Sequence, residues 1–214
     1  HKAEMLEAHC EKLLKQDILE ETNTGPWSSR SFLVEKKGGQ GHRLVTDLRY
    51  VNSQTINQAL ITPRADDSLE MIGEMKPVIF SKMDAQQGYF QIPIREEDRD
   101  KVAFLTRTKK YRYKAMPMGL ATSAQAFQAV INLLLQNLQY KCAIPYLDDI
   151  LCLSPSLDQH FIDLRDIFNA LRKGNLKLKK TKCEFFLEEL DFLGMKVTTE
   201  GIKPSPDKVD KIQS

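Results

Sequence analysis

The chain has 214 residues, 42% hydrophobic and 28% charged, with a formal net charge of +2. A chain of that length buries a full core without metal or disulfide staples, and its composition excludes the disordered and fibrous classes. No apolar run approaches the roughly 18 residues of a membrane span, and His1-Lys2-Ala3-Glu4 does not open a signal peptide. We therefore expect a soluble, intracellular globular protein of one large domain or two joined ones.

In chain order, Met5, Leu6, Cys10, Leu13, Leu14 and Ile18 recur at helical spacing and predict an amphipathic helix over 4–20. A turn at Gly25-Pro26-Trp27 leads into a strand over 31–35, and 42–48 returns as its hairpin partner around the basic tip Lys36-Lys37-Gly38-Gly39. Asp66-Asp67-Ser68 opens a helix, where the double Asp is a cap. Strands are expected over 77–84 and 90–94, then a second basic-tipped hairpin over 101–106 and 112–116. A helix over 123–138 with Phe127, Ile131, Leu134 and Leu138 on one stripe precedes two apolar strands, 141–146 and 150–153. A helix over 158–172 and a strand over 190–197, turning at Glu200-Gly201, complete the series. Helices mixed with hairpin-joined strands, without a β-α-β-α rhythm, give an α+β class with an antiparallel sheet.

Cys10, Cys142, Cys152 and Cys183 form no C-x-x-C pair and read as reduced thiols, and the histidines show no ligand spacing, so zinc is not expected. Basic residues crowd two stretches, Arg107, Lys109, Lys110, Arg112 and Lys114, and Arg172, Lys173, Lys177, Lys179, Lys180 and Lys182. Such runs are commonly solvated faces, yet on a nearly neutral chain they also suit a polyanion.

Asp148-Asp149 is the most informative pair, because it lies between the apolar runs Ala143–Leu147 and Ile150–Leu153. Ionised carboxylates leave water only when paired or metal-bound. Asp84 ends another apolar strand, and if that strand neighbours the hairpin, Asp84 and Asp148 converge at one end of a sheet. Carboxylates without histidine or thiol suit Mg²⁺, and two such ions about 4 Å apart clamp an in-line phosphoryl displacement.

Taken together and in order, Arg43-Leu44-Val45-Thr46-Asp47-Leu48-Arg49-Tyr50-Val51-Asn52, Met83-Asp84-Ala85-Gln86-Gln87-Gly88-Tyr89-Phe90-Gln91-Ile92, Met116-Pro117-Met118-Gly119-Leu120 and Tyr146-Leu147-Asp148-Asp149 closely resemble reverse transcriptases. Phe192-Leu193-Gly194 and Gly201-Ile202-Lys203-Pro204 extend the resemblance over nearly the whole chain. Tyr146-Leu147-Asp148-Asp149-Ile150 and Lys182-Cys183-Glu184-Phe185-Phe186 are similar to the gypsy-type LTR retrotransposon branch.

The resemblance implies a right-hand polymerase with an antiparallel palm sheet packed on helices and the thumb absent. Fingers would fill 1–76, palm 77–108, a return to the fingers–palm junction 109–120, palm with primer grip 121–198, and the start of a thumb linker 199–214. Asp84 and Asp148 would be side-chain ligands of two Mg²⁺ ions, with Mn²⁺ as a substitute, Ala85 lending a backbone carbonyl and Asp149 completing the carboxylate triad as ligand or in an orienting role. Tyr89 matches the steric gate that excludes a ribose 2′-hydroxyl; Lys36 or Lys37, with Arg43, match residues that close on the triphosphate. Met118-Gly119 matches the segment packed against nucleotide and template base, where retroviral members commonly carry Gln first. Lys182, or nearby Lys179 or Lys180, would protonate the departing pyrophosphate or contact a phosphate backbone, and Phe192, Leu193, Gly194 and Met195 match the primer grip. Trp27 is expected in the fingers core. The chain departs from the family pattern at Arg30, Gln86-Gln87 and Ala121–Ala124, but none of these removes a carboxylate.

The expected activity is RNA-directed DNA synthesis on a primed RNA or DNA template from deoxynucleoside triphosphates, in the cytoplasm or within retroelement particles and without membrane contact. Thumb, connection and RNase H domains would come from a longer polyprotein, and no RNase H activity is expected in this chain. The rivals are an inactive or domesticated nucleic-acid-binding module and an RNA-dependent RNA polymerase, the latter opposed by the bulky Tyr89.

Overall fold

The structure is a computed structural model and describes residues 2–36, 41–56 and 64–205. Lys37, Gly38 and Gly39 of the expected basic tip, and the linker beyond 205, lie outside the described residues. The first elements are α1 (Lys2–Lys15), β1 (Leu19–Glu21), β2 (Ser29–Glu35), β3 (His42–Thr46), α2 (Arg49–Gln54), α3 (Ala65–Met75) and β4 (Ile79–Asp84). Next come α4 (Glu96–Arg99), β5 (Phe104–Leu105), β6 (Lys110–Tyr113), α5 (Ser123–Leu135), β7 (Ala143–Tyr146) and β8 (Asp149–Ser154). The last are α6 (Leu157–Lys173), β9 (Glu184–Leu187), β10 (Glu189–Phe192), β11 (Met195–Thr198) and β12 (Gly201–Pro204). Among the described residues no helix is long and apolar enough to cross a membrane.

The elements gather into two compact units, 1–59 with 87–124, and 60–86 with 125–214. In the first, a five-stranded sheet runs β1-β6-β5-β2-β3, antiparallel except for a short parallel β2–β5 pair. Its core holds Leu19, Leu48, Phe104, Tyr111 and Tyr113, and the Tyr113 hydroxyl meets Thr46 Oγ1 at 2.9 Å, so the buried phenol is not left unpaired. Trp27 packs against this core as expected, its ring 5.8 Å from that of Tyr50.

In the second unit, four antiparallel strands run β7-β8-β4-β9. Side chains alternate along β4. Phe80 joins Leu151, Leu153 and Ile144 on one face, closed by Ile72 of α3 and by Leu190, Phe192 and Val197 of the β10-β11-β12 sheet. Ser81 and Cys152, from the other face, meet His160 of α6. Helix α6 is capped by Ser156, whose hydroxyl accepts from the Gln159 amide.

Several boundaries differ from those expected. Helix α1 stops at Lys15 because Asp17 takes a left-handed φ of 59°, and the Ile18 amide bonds back to the Leu13 carbonyl at 3.0 Å. Ile18 and Leu19 therefore serve the strand core. Asp66 and Asp67 are not caps: the cap position is Arg64, without a side-chain bond, and both acids sit in the first turn, where the helix dipole favours negative charge. Residues 88–91 form a 3₁₀ turn, not a strand, after Gln87 at φ 50°. The expected strand 190–197 is two strands, broken by a tight turn at Leu193 (φ 53°) and Gly194 (φ 75°).

Candidate active site

The strand pairing decides where the acidic residues meet. Asp84 and Asp149 are direct cross-strand partners at the ends of β4 and β8, and Asp148 occupies the two-residue turn joining β7 to β8. The Ala85 amide donates to the Asp148 carbonyl at 2.9 Å, tying the continuation of β4 to that turn. Asp84, Ala85, Asp148 and Asp149 are thus brought together, as the sequence led us to expect.

Like charges opposite one another destabilise a sheet, and two lysines offset them. Lys182 Nζ lies 2.7 Å from Asp84 Oδ2, and Lys82 Nζ lies 3.1 Å from Asp149 Oδ2. Lys82 Nζ also lies 3.5 Å from the Asp191 carbonyl of β10. Burial, reinforced by the charges of Asp84 and Asp149, pushes the Asp148 carboxyl above the usual range, while Lys182 pulls it back. The hydrogen bond to Asp84 holds the Lys182 ammonium above its ordinary value. Of the three lysines named as candidates near 180, Lys182 reaches an acid; Lys179 donates its backbone amide to the Asp84 carbonyl, and Lys180 begins the 3₁₀ turn that carries Lys182.

The turn bearing Asp148 is held by a residue not anticipated from sequence. Leu147 adopts φ 52°, costly for a residue with a side chain. Gln128 of α5, fully buried, accepts from the Leu147 amide at 2.7 Å and donates to the Pro145 carbonyl at 3.1 Å. Lys82 was missed too. Its signal was available, since two residues before Asp84 on a strand means the same face.

Among the described residues no three His, Cys, Asp or Glu side chains form a ready-made metal site. The donor chemistry nevertheless fits a hard cation: Asp84 and Asp149 are each engaged by an ammonium, and Asp148 carries unfavourable like-charge crowding. Asp84, Asp148, Asp149 and the Ala85 carbonyl are the oxygen donors available at this sheet end.

The remaining candidates belong to other parts of the fold. Phe192 is buried, and the turn Leu193-Gly194 leads to Met195, which pairs with Phe192. In the first unit, Tyr89 lies in the 3₁₀ turn and Arg43 is exposed on β3 opposite Val34; the Lys36 amide bonds to the Gly41 carbonyl at the hairpin base. Asn52 clamps the Met118-Gly119 segment, donating to the Gly119 carbonyl at 2.8 Å and accepting from the Ala121 amide at 2.9 Å. Gly119 sits at φ +97°, a conformation that favours glycine.

One basic run changes meaning. Lys109 pairs with Glu21, Arg112 with Glu20 and Asp100, and Lys114 with Asp17, while Lys110 binds the Thr24 and Gly25 carbonyls. These four cations are engaged in internal bonds, and among the described residues only exposed Arg107 of the run lacks such a bond, so the run is a paired face more than a free polyanion surface. All four cysteines are free thiols, as expected.

Residues 34–197 match the family described as "Reverse transcriptase (RNA-dependent DNA polymerase)". The chain is 37% identical over 98% of its length to the retrovirus-related Pol polyprotein from transposon 297, and 30% identical over 94% to that from transposon gypsy, both of Drosophila melanogaster. It spans 20% of the length of each of those polyproteins. Among solved structures it superposes on a foamy viral protease–reverse transcriptase in complex with double-stranded DNA, with TM-score 0.87, 25% identity, and coverage of 98% of this chain and 36% of that one. A family match over more than half the chain, a relative sharing more than a third of its residues and a common fold agree, and the chain belongs to the reverse transcriptase family.

Proposed function

We propose that this chain is the fingers and palm of an RNA-directed DNA polymerase that adds deoxynucleotides to a primer 3′-hydroxyl on an RNA or DNA template. The observation that carries the proposal is the convergence of Asp84, Asp148 and Asp149 at one sheet end, offset by Lys82 and Lys182. Asp84 and Asp148 side chains and the Ala85 carbonyl hold two Mg²⁺ ions, for which Mn²⁺ substitutes. When bound, such ions make the attacking hydroxyl more nucleophilic and neutralise charge on the phosphoryl oxygens.

The chain's own residues do the rest. Asp149, held by Lys82, orients the site and completes its negative charge. Lys182 is half-exposed and stays charged beside the acidic cluster, which suits contact with the departing pyrophosphate, and proton delivery follows once the bond to Asp84 is released. Gln128 fixes the Asp148 turn through its neighbour's amide. The Phe192–Met195 hairpin, on a strand that Lys82 also reaches, holds the primer end. Lys36, Lys37 and Arg43 of the fingers take the triphosphate, Tyr89 of the palm stretch screens the sugar, and Met118-Gly119 of the junction stretch backs the base. The foamy viral relative's complex with double-stranded DNA supports a duplex substrate.

The test is deoxynucleotide addition to a primer on an RNA template with Mg²⁺, at low salt because phosphate contacts dominate duplex affinity. Addition that chelation of Mg²⁺ abolishes supports the proposal. Binding of template–primer without addition overturns it in favour of a binding module.

A further inference from the structure

A second group of polar side chains in the same unit is sealed from water, and it sits at an irregularity of the sheet. Edge strand β9 pairs with β4 so that Phe80 opposes Leu187 while Lys82 opposes Glu184, and Ser81 faces both Phe185 and Phe186. This is a β-bulge, with Phe186 at φ 58°. The extra residue of a bulge has no ladder partner. The Phe186 amide instead donates to Ser81 Oγ at 3.1 Å.

Ser81, fully buried, must then place its own proton, and His160 Nε2 lies 2.7 Å away. The ring's other nitrogen fixes the tautomer. His160 Nδ1 is 2.9 Å from Ser154 Oγ, whose proton goes to Asp163 Oδ2 at 2.5 Å, so Ser154 can only accept from the ring. Nδ1 therefore carries the hydrogen and Nε2 accepts. Donation runs one way, from the Phe186 amide through Ser81, His160 and Ser154 to Asp163, with Cys152 Sγ a more distant neighbour of Nδ1 at 3.7 Å.

The bulge sets where the chain before β9 falls against β4. One residue of slip moves a strand by about 3.3 Å and turns its side chains to the other face. Lys182, which reaches Asp84, lies between two anchors: the Lys179 amide on the Asp84 carbonyl at 2.8 Å before it, and the bulged pairing of β9 with β4 after it. We propose that His160 is a positioning residue for nucleotidyl transfer: by accepting the Ser81 proton it holds the β9 bulge and so keeps Lys182 on Asp84. This rests on the polymerase reading above.

Three variants test it. His160→Gln keeps an acceptor for Ser81 and a donor for Ser154, His160→Leu removes both, and Ser81→Ala cuts the link to Phe186 with little change of volume. Amide hydrogen exchange over 184–187 is measured beside the kinetics of single-nucleotide addition, below each variant's melting temperature. We expect Phe186 exchange to quicken about tenfold or more in His160→Leu and Ser81→Ala. Their kcat should fall about 5- to 30-fold with KM for the nucleotide within about twofold, and His160→Gln should restore both readouts. Wild-type exchange in Ser81→Ala, undiminished kcat despite faster exchange, or failure of Gln to rescue would overturn the proposal. If His160→Leu does not fold, Ser81→Ala alone decides. An inactive wild-type chain would refute the polymerase reading and the catalytic half of this proposal, while exchange still decides whether His160 holds the bulge.

Discussion

Replacing Gln128 by Leu tests how the Asp148 turn is held. Gln128 is fully buried; Oε1 accepts from the Leu147 amide at 2.7 Å, and Nε2 donates to the Pro145 carbonyl at 3.1 Å and to Asn132 Oδ1 at 2.8 Å. Leucine keeps the volume but leaves the half-buried Leu147 amide and the buried Pro145 carbonyl without these partners, at up to about 1–3 kcal/mol each. The turn they flank is already strained, since a left-handed residue with a side chain costs about 1–2 kcal/mol. We expect a loss of about 2–4 kcal/mol, which in a chain of this size lowers Tm by roughly 5–12 °C. Gln128→Glu rescues little: it keeps an acceptor for Leu147 but loses both donations and buries a charge. Thermal unfolding, with primer extension run below both melting temperatures, reads the two effects, and extension should drop at least about tenfold because Asp148 follows Leu147 directly. A Gln128→Leu protein that melts within about 1 °C of wild type and extends primers normally would refute the clamp.

Other expectations follow from the same geometry. Burial holds the His160 imidazole below its ordinary value, against the pull of Asp163, so the unfolded chain binds the proton more readily. Stability should therefore fall as pH drops below about 6.5, at up to about 1.4 kcal/mol per pH unit. His9 is lowered by burial too, so the difference between wild type and His160→Gln in pH-dependent unfolding isolates His160; identical profiles would exclude it. Lys182→Met removes an ion pair whose lysine is 55% exposed, so stability should change by less than about 1 kcal/mol while the addition rate falls; an unchanged rate would remove Lys182 from the chemistry. Tyr89→Ala should admit ribonucleotides, measured as the ratio of ribo- to deoxynucleotide incorporation, and an unchanged ratio would sink the gate assignment.

The carboxylate cluster was legible in the sequence because its environment is anomalous. Asp148-Asp149 stands between strands that are buried on both sides, whereas Asp66-Asp67 stands in polar sequence and proved to be the first turn of an ordinary helix. The supports of the site were not legible. Gln128 reads as one polar residue on a helix stripe, and only the fold reveals that it reaches a turn nineteen positions away. His160 carries no ligand spacing, and its meaning depends on a bulge set by pairing between distant strands. The break at Leu193-Gly194 was hidden because leucine is not a turn residue, and tertiary packing put it in the left-handed region regardless. The paired Lys109, Arg112 and Lys114 show the converse: a charge run identifies no partner until the acids opposite it are placed.

Primer extension on an RNA template with Mg²⁺, by wild type and by Asp148→Asn, tests most directly whether Asp148 belongs to a metal-dependent polymerase site. The substitution keeps the shape of the turn and removes one of the crowded negative charges, so the variant should fold at least as stably as wild type. We expect extension by the wild type and none by the variant, with template–primer binding unchanged. Extension that persists in Asp148→Asn would contradict it.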